Sequence, residues 1–146
     1  MNINTELLLS IQVMRKLYAQ YMKEVGVRFN LQETDTDIIG FLKFNPGMDT
    51  ANDIISLRRF SKASVSQAVE RLSVKGYLLR KEDVSDRRRI HLVLTKKAGP
   101  VTEAIEAKRK EFTELLFQGF TQKEITACEQ FTRRMVENAQ AVRRSR

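Results

Sequence analysis

The sequence predicts a mainly α-helical fold with one small β-hairpin, and three observations carry that expectation. Apolar residues recur at spacings of three and four through most of the chain, as in helices with one buried face. One stretch departs from that period: Ile90, Leu92 and Leu94 alternate with Arg89, His91 and Val93, as residues of a half-buried strand do. Between the helical run Ser64 to Leu72 and this hairpin stands Gly76, where a helix-ending glycine belongs. Helix, glycine, then a hairpin tipped with arginines reads as a winged helix-turn-helix. The flanking helices read as its support. The expected fold is therefore mainly α with a small β wing, a winged helix-turn-helix flanked by N- and C-terminal helices. One domain over 1–146 would hold a winged lobe at 31–95 between the helical segments 1–30 and 96–146.

The first helix is expected over 5 to about 28, on Leu7, Leu8, Ile11, Met14, Leu17, Tyr18, Tyr21, Met22 and Val25, with Gly26 and Arg28 at its end. Its stripe is wide and aromatic for an exposed terminal helix, so it packs either on a partner subunit or into intrachain core. A second helix, Thr34 to Phe44, carries Ile38, Ile39, Phe41 and Leu42, and Asn45-Pro46-Gly47 turns the chain. Thr50 followed by Asp53 opens a short third helix with Ile54, Ile55 and Leu57. A turn near Arg59-Phe60 then leads to the fourth, capped by Ser61. Extended runs follow at Tyr77–Lys81 and Arg89–Leu94, joined by the polar stretch 82–88. The next helix starts either at Thr95 as N-cap or at Pro100, since proline fits only a first turn. Thr121-Gln122-Lys123-Glu124 is a capping box for the last helix, which runs through Phe131, Met135 and Val142 into a basic tail.

Length and composition suit a globular protein: 146 residues, 42% hydrophobic and 30% charged. No signal pattern or spanning apolar run is present, and the single cysteine fits a reducing cytosol, so a cytoplasmic location without membrane is expected. The net charge of +8 is concentrated. Residues 58–97 contain 12 basic and 4 acidic side chains, and the rest of the chain is balanced. So local a positive field suits a polyanion.

The pieces Ser64-Val65-Ser66, Leu72, Gly76-Tyr77-Leu78, Asp86-Arg87-Arg88 and Leu94-Thr95, at their spacing, resemble the signature of the MarR family of bacterial transcriptional regulators. Arg58 and Arg59 stand where that pattern has an apolar residue and a turn glycine, and Ala98-Gly99-Pro100 replaces a Lys-Gly pair. The resemblance implies a homodimer built by the terminal helices, which makes 1–30 and 96–146 the dimerisation helices. It also implies a recognition helix in the major groove of double-stranded DNA, a wing arginine in the minor groove, and control by a small-molecule effector or by oxidation.

The residues themselves support such chemistry. A recognition helix needs small or polar residues at its N-terminal end for close approach, and Ser61, Lys62, Ser64 and Ser66 supply them. Gln67 suits adenine N6/N7, and Arg71 a guanine or a phosphate. Arg88 is the expected minor-groove side chain, where the potential is deepest, with Asp86 holding an arginine in place. Arg87 reaches phosphate or solvent, and Arg89 leaves the tip toward the backbone. Tyr18, Tyr21, Phe41 and Phe44 are candidates for an effector pocket, although aromatics at helical spacing usually belong to core. Cys128 is expected as a buried core thiol rather than an oxidant sensor, and His91 as a lone, partly exposed strand residue. One His and one Cys are too few for a metal site, no cofactor motif is present, and no nucleophile–base set argues for an enzyme. The competing reading is a winged-helix module for protein or RNA contact; three consecutive arginines, Arg87, Arg88 and Arg89, weigh against it.

Overall fold

Asn2 opens the first helix by accepting the Thr5 amide on its side-chain oxygen at 3.0 Å. In the computed structural model, which describes residues 2–57 and 60–145, helix α1 then runs Ile3–Phe29. It passes through Gly26, the residue expected near its end, and stops at Asn30, which takes the left-handed conformation (φ 56°). The Leu31 amide returns to the Gly26 carbonyl at 2.8 Å. A Cβ at Gly26 would lie 2.8 Å from the Leu31 carbonyl oxygen. Glycine is thus needed here for the chain folding back over the helix end, not for the stop itself.

Helix α2 spans Glu33–Phe44 and α3 spans Ala51–Leu57. The Thr50/Asp53 pair forms a reciprocal cap: Thr50 N–H donates to Asp53 Oδ2 at 3.0 Å, and Asp53 N–H to Thr50 Oγ1 at 3.1 Å. The expected turn into the next helix includes Arg58 and Arg59, which lie outside the described residues. Helix α4, Lys62–Val74, begins at Ser61, whose hydroxyl oxygen accepts the Ser64 amide at 3.1 Å. Gly76 ends it with φ 83°, and the Tyr77 amide reaches back to Leu72 O at 2.9 Å. That six-to-one closure requires a positive φ, hence glycine.

Strands β1 (Leu78–Glu82) and β2 (Ile90–Leu94) pair antiparallel, with Leu78 opposite Leu94 and Glu82 opposite Ile90. Both start one residue later than their sequence pattern indicated. Thr95 then leads into a 3-10 turn at Lys96–Ala98, and α5 follows over Gly99–Leu116 with Pro100 in its first turn. Each of the two expected starts therefore marks a real boundary. The Thr95 hydroxyl does not cap; it donates to Gly76 O, tying the hairpin's exit to its entrance.

The chain divides into two compact units, Met1–Lys110 and Glu111–Arg146. In the first, Ile38, Ile39 and Phe41 of α2, Ile54 of α3, Val65, Ala68 and Leu72 of α4, Leu78 of β1 and Val101 and Ile105 of α5 are buried together. Each of these side chains larger than alanine contributes about 1.5–3 kcal/mol by leaving water. From α1, Met22, Val25 and Gly26 are buried and Tyr18, Tyr21 and Phe29 pack against this core, while Leu7, Leu8, Ile11 and Met14 remain exposed. In the second unit α6 runs Gln122–Arg144 from the expected capping box: Glu124 N–H donates to Thr121 Oγ1 at 3.2 Å, and Thr121 N–H to Glu124 Oε1 at 3.3 Å. No residue of α6 is buried. Cys128 is accordingly half-buried rather than a core thiol, its Sγ 3.9 Å from Thr132 Oγ1. Among the described residues no helix is long and apolar enough to cross a membrane.

Candidate nucleic-acid interface

Helix α4 is amphipathic, and its burial follows its sequence. Val65, Ala68, Val69 and Leu72 face the core, which leaves Lys62, Ser66 and Gln67 exposed on the other side. Ser61 and Ser64 sit at the first turn, their hydroxyls 3.0 Å apart. The amides of that turn have no intrahelical acceptors, so this end of the helix carries partial positive charge.

The structure sorts the basic residues of this lobe into two groups. Several are bound internally. Arg71 donates from Nε (3.2 Å) and Nη2 (2.8 Å) to Oδ1 of Asp35, a carboxylate with no exposed surface. Asp35 Oδ2 accepts the Gln32 amide at the start of α2, so its charge is bonded on both oxygens. Arg71 thus fastens α4 to α2, a task not expected of it from the sequence, where it was a candidate for reaching DNA. Arg80 bonds Glu70 at 2.8 Å, Lys75 bonds the Asn30 carbonyl at 3.0 Å, and Lys97 lies over the Tyr77 ring. Lys62, Lys81, Arg87, Arg88, Arg89 and Lys96 form the other group, exposed at the start of α4 and along the hairpin.

The wing loop is organised by carboxylates. Asp83 Oδ2 accepts the Ser85 amide (3.0 Å), the Ser85 hydroxyl (2.9 Å) and the Asp86 amide (3.0 Å). Asp86 Oδ1 accepts the Arg88 amide at 3.0 Å and stands 3.9 Å from Arg88 Nε. Asp86 therefore shapes the tip mainly through the backbone, and the Arg88 side chain is left 97% exposed.

His91 was expected to be solitary, yet both of its ring nitrogens are engaged. Nδ1 lies 2.7 Å from Asp49 Oδ1, and Nε2 lies 2.6 Å from Asp83 Oδ1. The Asp83 bond, then the Asp49 bond, raise the His91 pKa above its ordinary value. The same His91 bond, with those from Ser85, holds the Asp83 carboxyl far below the usual range. Asp49 lies 42 residues away in sequence, and no local pattern signals such a pairing.

The sequence comparison places this lobe. Residues 29–89 match the model of the MarR family. Over those residues this lobe is similar to the MarR family. The fold as a whole is similar to a MarR transcriptional regulator from Methanosarcina mazei Go1, at 19% identity over 94% of this chain and 99% of that one, with a TM-score of 0.79. It is similar to a MarR protein from Peptoclostridium difficile, at 22% identity over 95% and 92%, with a TM-score of 0.76. A third likeness is to a MarR-family transcriptional regulator from Listeria monocytogenes, solved in complex with a 26mer DNA, at 18% identity over 90% and 87%, with a TM-score of 0.78. At these identities the likeness is one of fold. A search of the curated proteins finds no match.

Within the lobe the four aromatics expected to line a pocket do not come together around one. Phe41 is core. Phe44 stacks under Arg109, 3.9 Å from guanidinium to ring centroid, and Lys108 Nζ stands 5.4 Å from the Tyr21 centroid. Tyr18 packs against the core. A half-open cleft of about 670 Å³ runs instead along the C-terminal half of α1 and the start of α2, with Lys16, Lys23, Asn30, Glu33 and Thr36 among its walls. Aromatic periodicity marked the packing face, whereas this cleft has no aromatic wall and sets Ala19, Met22, Val27 and Leu31 beside its polar residues.

Proposed function

We propose that this protein is a transcriptional regulator that binds double-stranded DNA in a sequence-specific manner, as a homodimer and as a repressor. One observation carries the reading. Among the described residues, Lys62 at the start of α4 and Lys81, Arg87, Arg88 and Arg89 on the wing form a group of exposed cations, while Arg71, Lys75 and Arg80 are bonded within the lobe. In this reading the first turns of α4 enter the major groove. Ser61, Lys62, Ser64 and Ser66 meet phosphates, and Gln67 reads a base edge. Arg88 enters the adjacent minor groove, with Arg87 and Arg89 on the backbone. The DNA complex of the Listeria relative supports the choice of partner.

A second copy of the chain belongs to the same proposal. The exposed apolar residues of α1, Leu7, Leu8, Ile11 and Met14, and those of α6, Phe131, Met135 and Val142, are the kind of surface a subunit interface covers. Two-fold symmetry then requires a pseudo-palindromic operator with half-site centres about 10 bp, or a multiple, apart. Release by a small effector is part of the reading, with the α1–α2 cleft as the place to look for it.

The test is fluorescence anisotropy with duplex DNA from upstream of the protein's own gene against a scrambled duplex, at two salt concentrations. Tight binding to the first duplex alone is the expected outcome. Equal, strongly salt-dependent binding to both would reduce the activity to nonspecific electrostatics. Binding to neither would point to the protein-partner reading.

A further inference from the structure

The His91 ring stands between two carboxylates that belong to different parts of the lobe. Asp49 lies in the connection between α2 and α3, and its carbonyl also accepts the Leu92 amide at 2.7 Å. Asp83 begins the wing loop. Its amide donates to Arg89 O at 2.9 Å, and its carboxylate gathers the Ser85 and Asp86 amides. The ring therefore bridges the helical body and the loop that carries Arg87 and Arg88.

Stereochemistry decides the protonation state of this bridge. A neutral imidazole has one N–H donor and one acceptor nitrogen, and an ionised carboxylate only accepts. With carboxylate oxygens at 2.7 and 2.6 Å from the two nitrogens, a neutral ring would set a nitrogen lone pair against an oxygen lone pair. Asp83, bonded by the ring on Oδ1 and by three donors on Oδ2, is held ionised far below the usual carboxylate range, so the proton it shares with the ring sits on nitrogen. The proton belongs to the ring, and both contacts are then charge-assisted bonds. The two carboxylates lie against opposite nitrogens of the ring, so they do not converge on an ion. Among the described residues no group of three or more such ligands is arranged to hold a metal.

We infer that His91, held as an imidazolium between Asp49 and Asp83, positions the arginine wing, and that raising the pH until the ring loses its proton loosens the wing and weakens DNA binding. The affinity half of this inference rests on the proposed DNA-binding function; the wing half does not. The nearest charged residues along the hairpin are Lys81, paired with His91 in the β-ladder, and Arg89, just before β2. Helices α2 and α3 also pack on β2. Their charged residues closest in sequence to Asp49 are Lys43 and Asp53, of which Asp53 is bonded to the Thr50 amide. Burial opposes protonation, and the two bonded carboxylates favour it. The net direction is upward.

The sign follows from linkage. A histidine pKa raised by folding adds stability that is fully present below the unfolded value of about 6.5 and is lost as pH rises through the folded value. The depressed Asp83 carboxyl adds stability above its unfolded value, lost only as pH falls through the folded one. The clamp is therefore intact from mildly acidic pH up to the His91 midpoint, and opens above it.

The chain contains a single histidine, so its imidazole resonances report this site alone. An NMR titration of the free protein should give a His91 midpoint above about 6.5, with the amides of Asp83, Ser85 and Asp86 shifting at the same midpoint. Asp49→Asn should lower that midpoint without unfolding the chain, as judged by its amide spectrum. A midpoint at or below the ordinary value, or wing amides that do not follow it, overturns the clamp whatever the DNA does. Anisotropy on the upstream duplex should then show affinity falling several-fold through the same midpoint. In His91→Gln, whose donors sit on one uncharged nitrogen where the ring offers two, affinity should sit at the high-pH level with that step absent. An unchanged affinity across the midpoint overturns the positioning role. A clamp that titrates as expected in a protein that binds neither duplex overturns the DNA-binding function and the affinity half together, and leaves the wing half standing.

Discussion

Helix α4 buries Val65, Ala68, Val69 and Leu72 at helical spacing, whereas α6, with Phe131, Met135 and Val142 similarly spaced, buries nothing. Both helices have good caps and one apolar stripe, yet the stripe of α4 is covered by its own lobe and that of α6 lies open. Periodicity states that a face wants to leave water; it does not say what will cover it. The same division runs through the charges. Arg71 and Arg88 are alike in sequence, but one is locked on a buried carboxylate and the other projects into solvent. What each residue does depends on whether a partner exists within its own chain.

The sharpest way to break this contrast is to truncate a covered side chain. Leu72→Ala should destabilise the first unit by about 2–5 kcal/mol through lost transfer energy and a cavity, read as a lower urea midpoint. A loss below about 1 kcal/mol would mean that the α4 stripe is not the core. Arg71→Ala follows at about 3 kcal/mol, the low end for breaking a buried pair, because the guanidinium retains 29% exposure while Asp35 has none. Replacing both residues, as Arg71→Met with Asp35→Leu, should recover part of that loss.

The uncovered residues should behave in the opposite way. Arg88→Ala is expected to leave the urea midpoint within about 0.5 kcal/mol, but to weaken DNA binding and flatten its log–log salt dependence by about one unit. An unchanged slope would separate Arg88 from the DNA. The smallest change in chain stability, under about 0.5 kcal/mol, is expected for Phe131→Ala with Met135→Ala. Its readout is mass by light scattering, where the variant should dissociate to single chains at concentrations that keep the parent paired. A parent that is already monomeric would end the homodimer proposal.

Much of the fold was legible because its signals are local. The Ser61 cap, the Thr50–Asp53 and Thr121–Glu124 boxes and the Gly76 stop each depend on residues a few positions apart, and each forms as read. The alternation of Ile90, Leu92 and Leu94 likewise placed β2 to within one residue. The role of Gly26 near the end of α1, which falls within a residue of its expected place, has the same explanation in reverse. Gly26 is required by a carbonyl five residues later, which only the folded-back chain brings near.

The sequence by itself determined the helices, the hairpin and the concentration of positive charge at residues 58–97. These follow from hydrogen-bond periodicity and capping along a local backbone, and from a sum that needs no geometry. Tertiary structure alone decided which cations are spent inside the lobe, that Asp35 is buried beneath Arg71, and that His91 is clamped by Asp49 and Asp83. Those pairs join residues separated by 36, 42 and 8 positions. Their energies depend on distance and burial in space, which chain order does not encode directly.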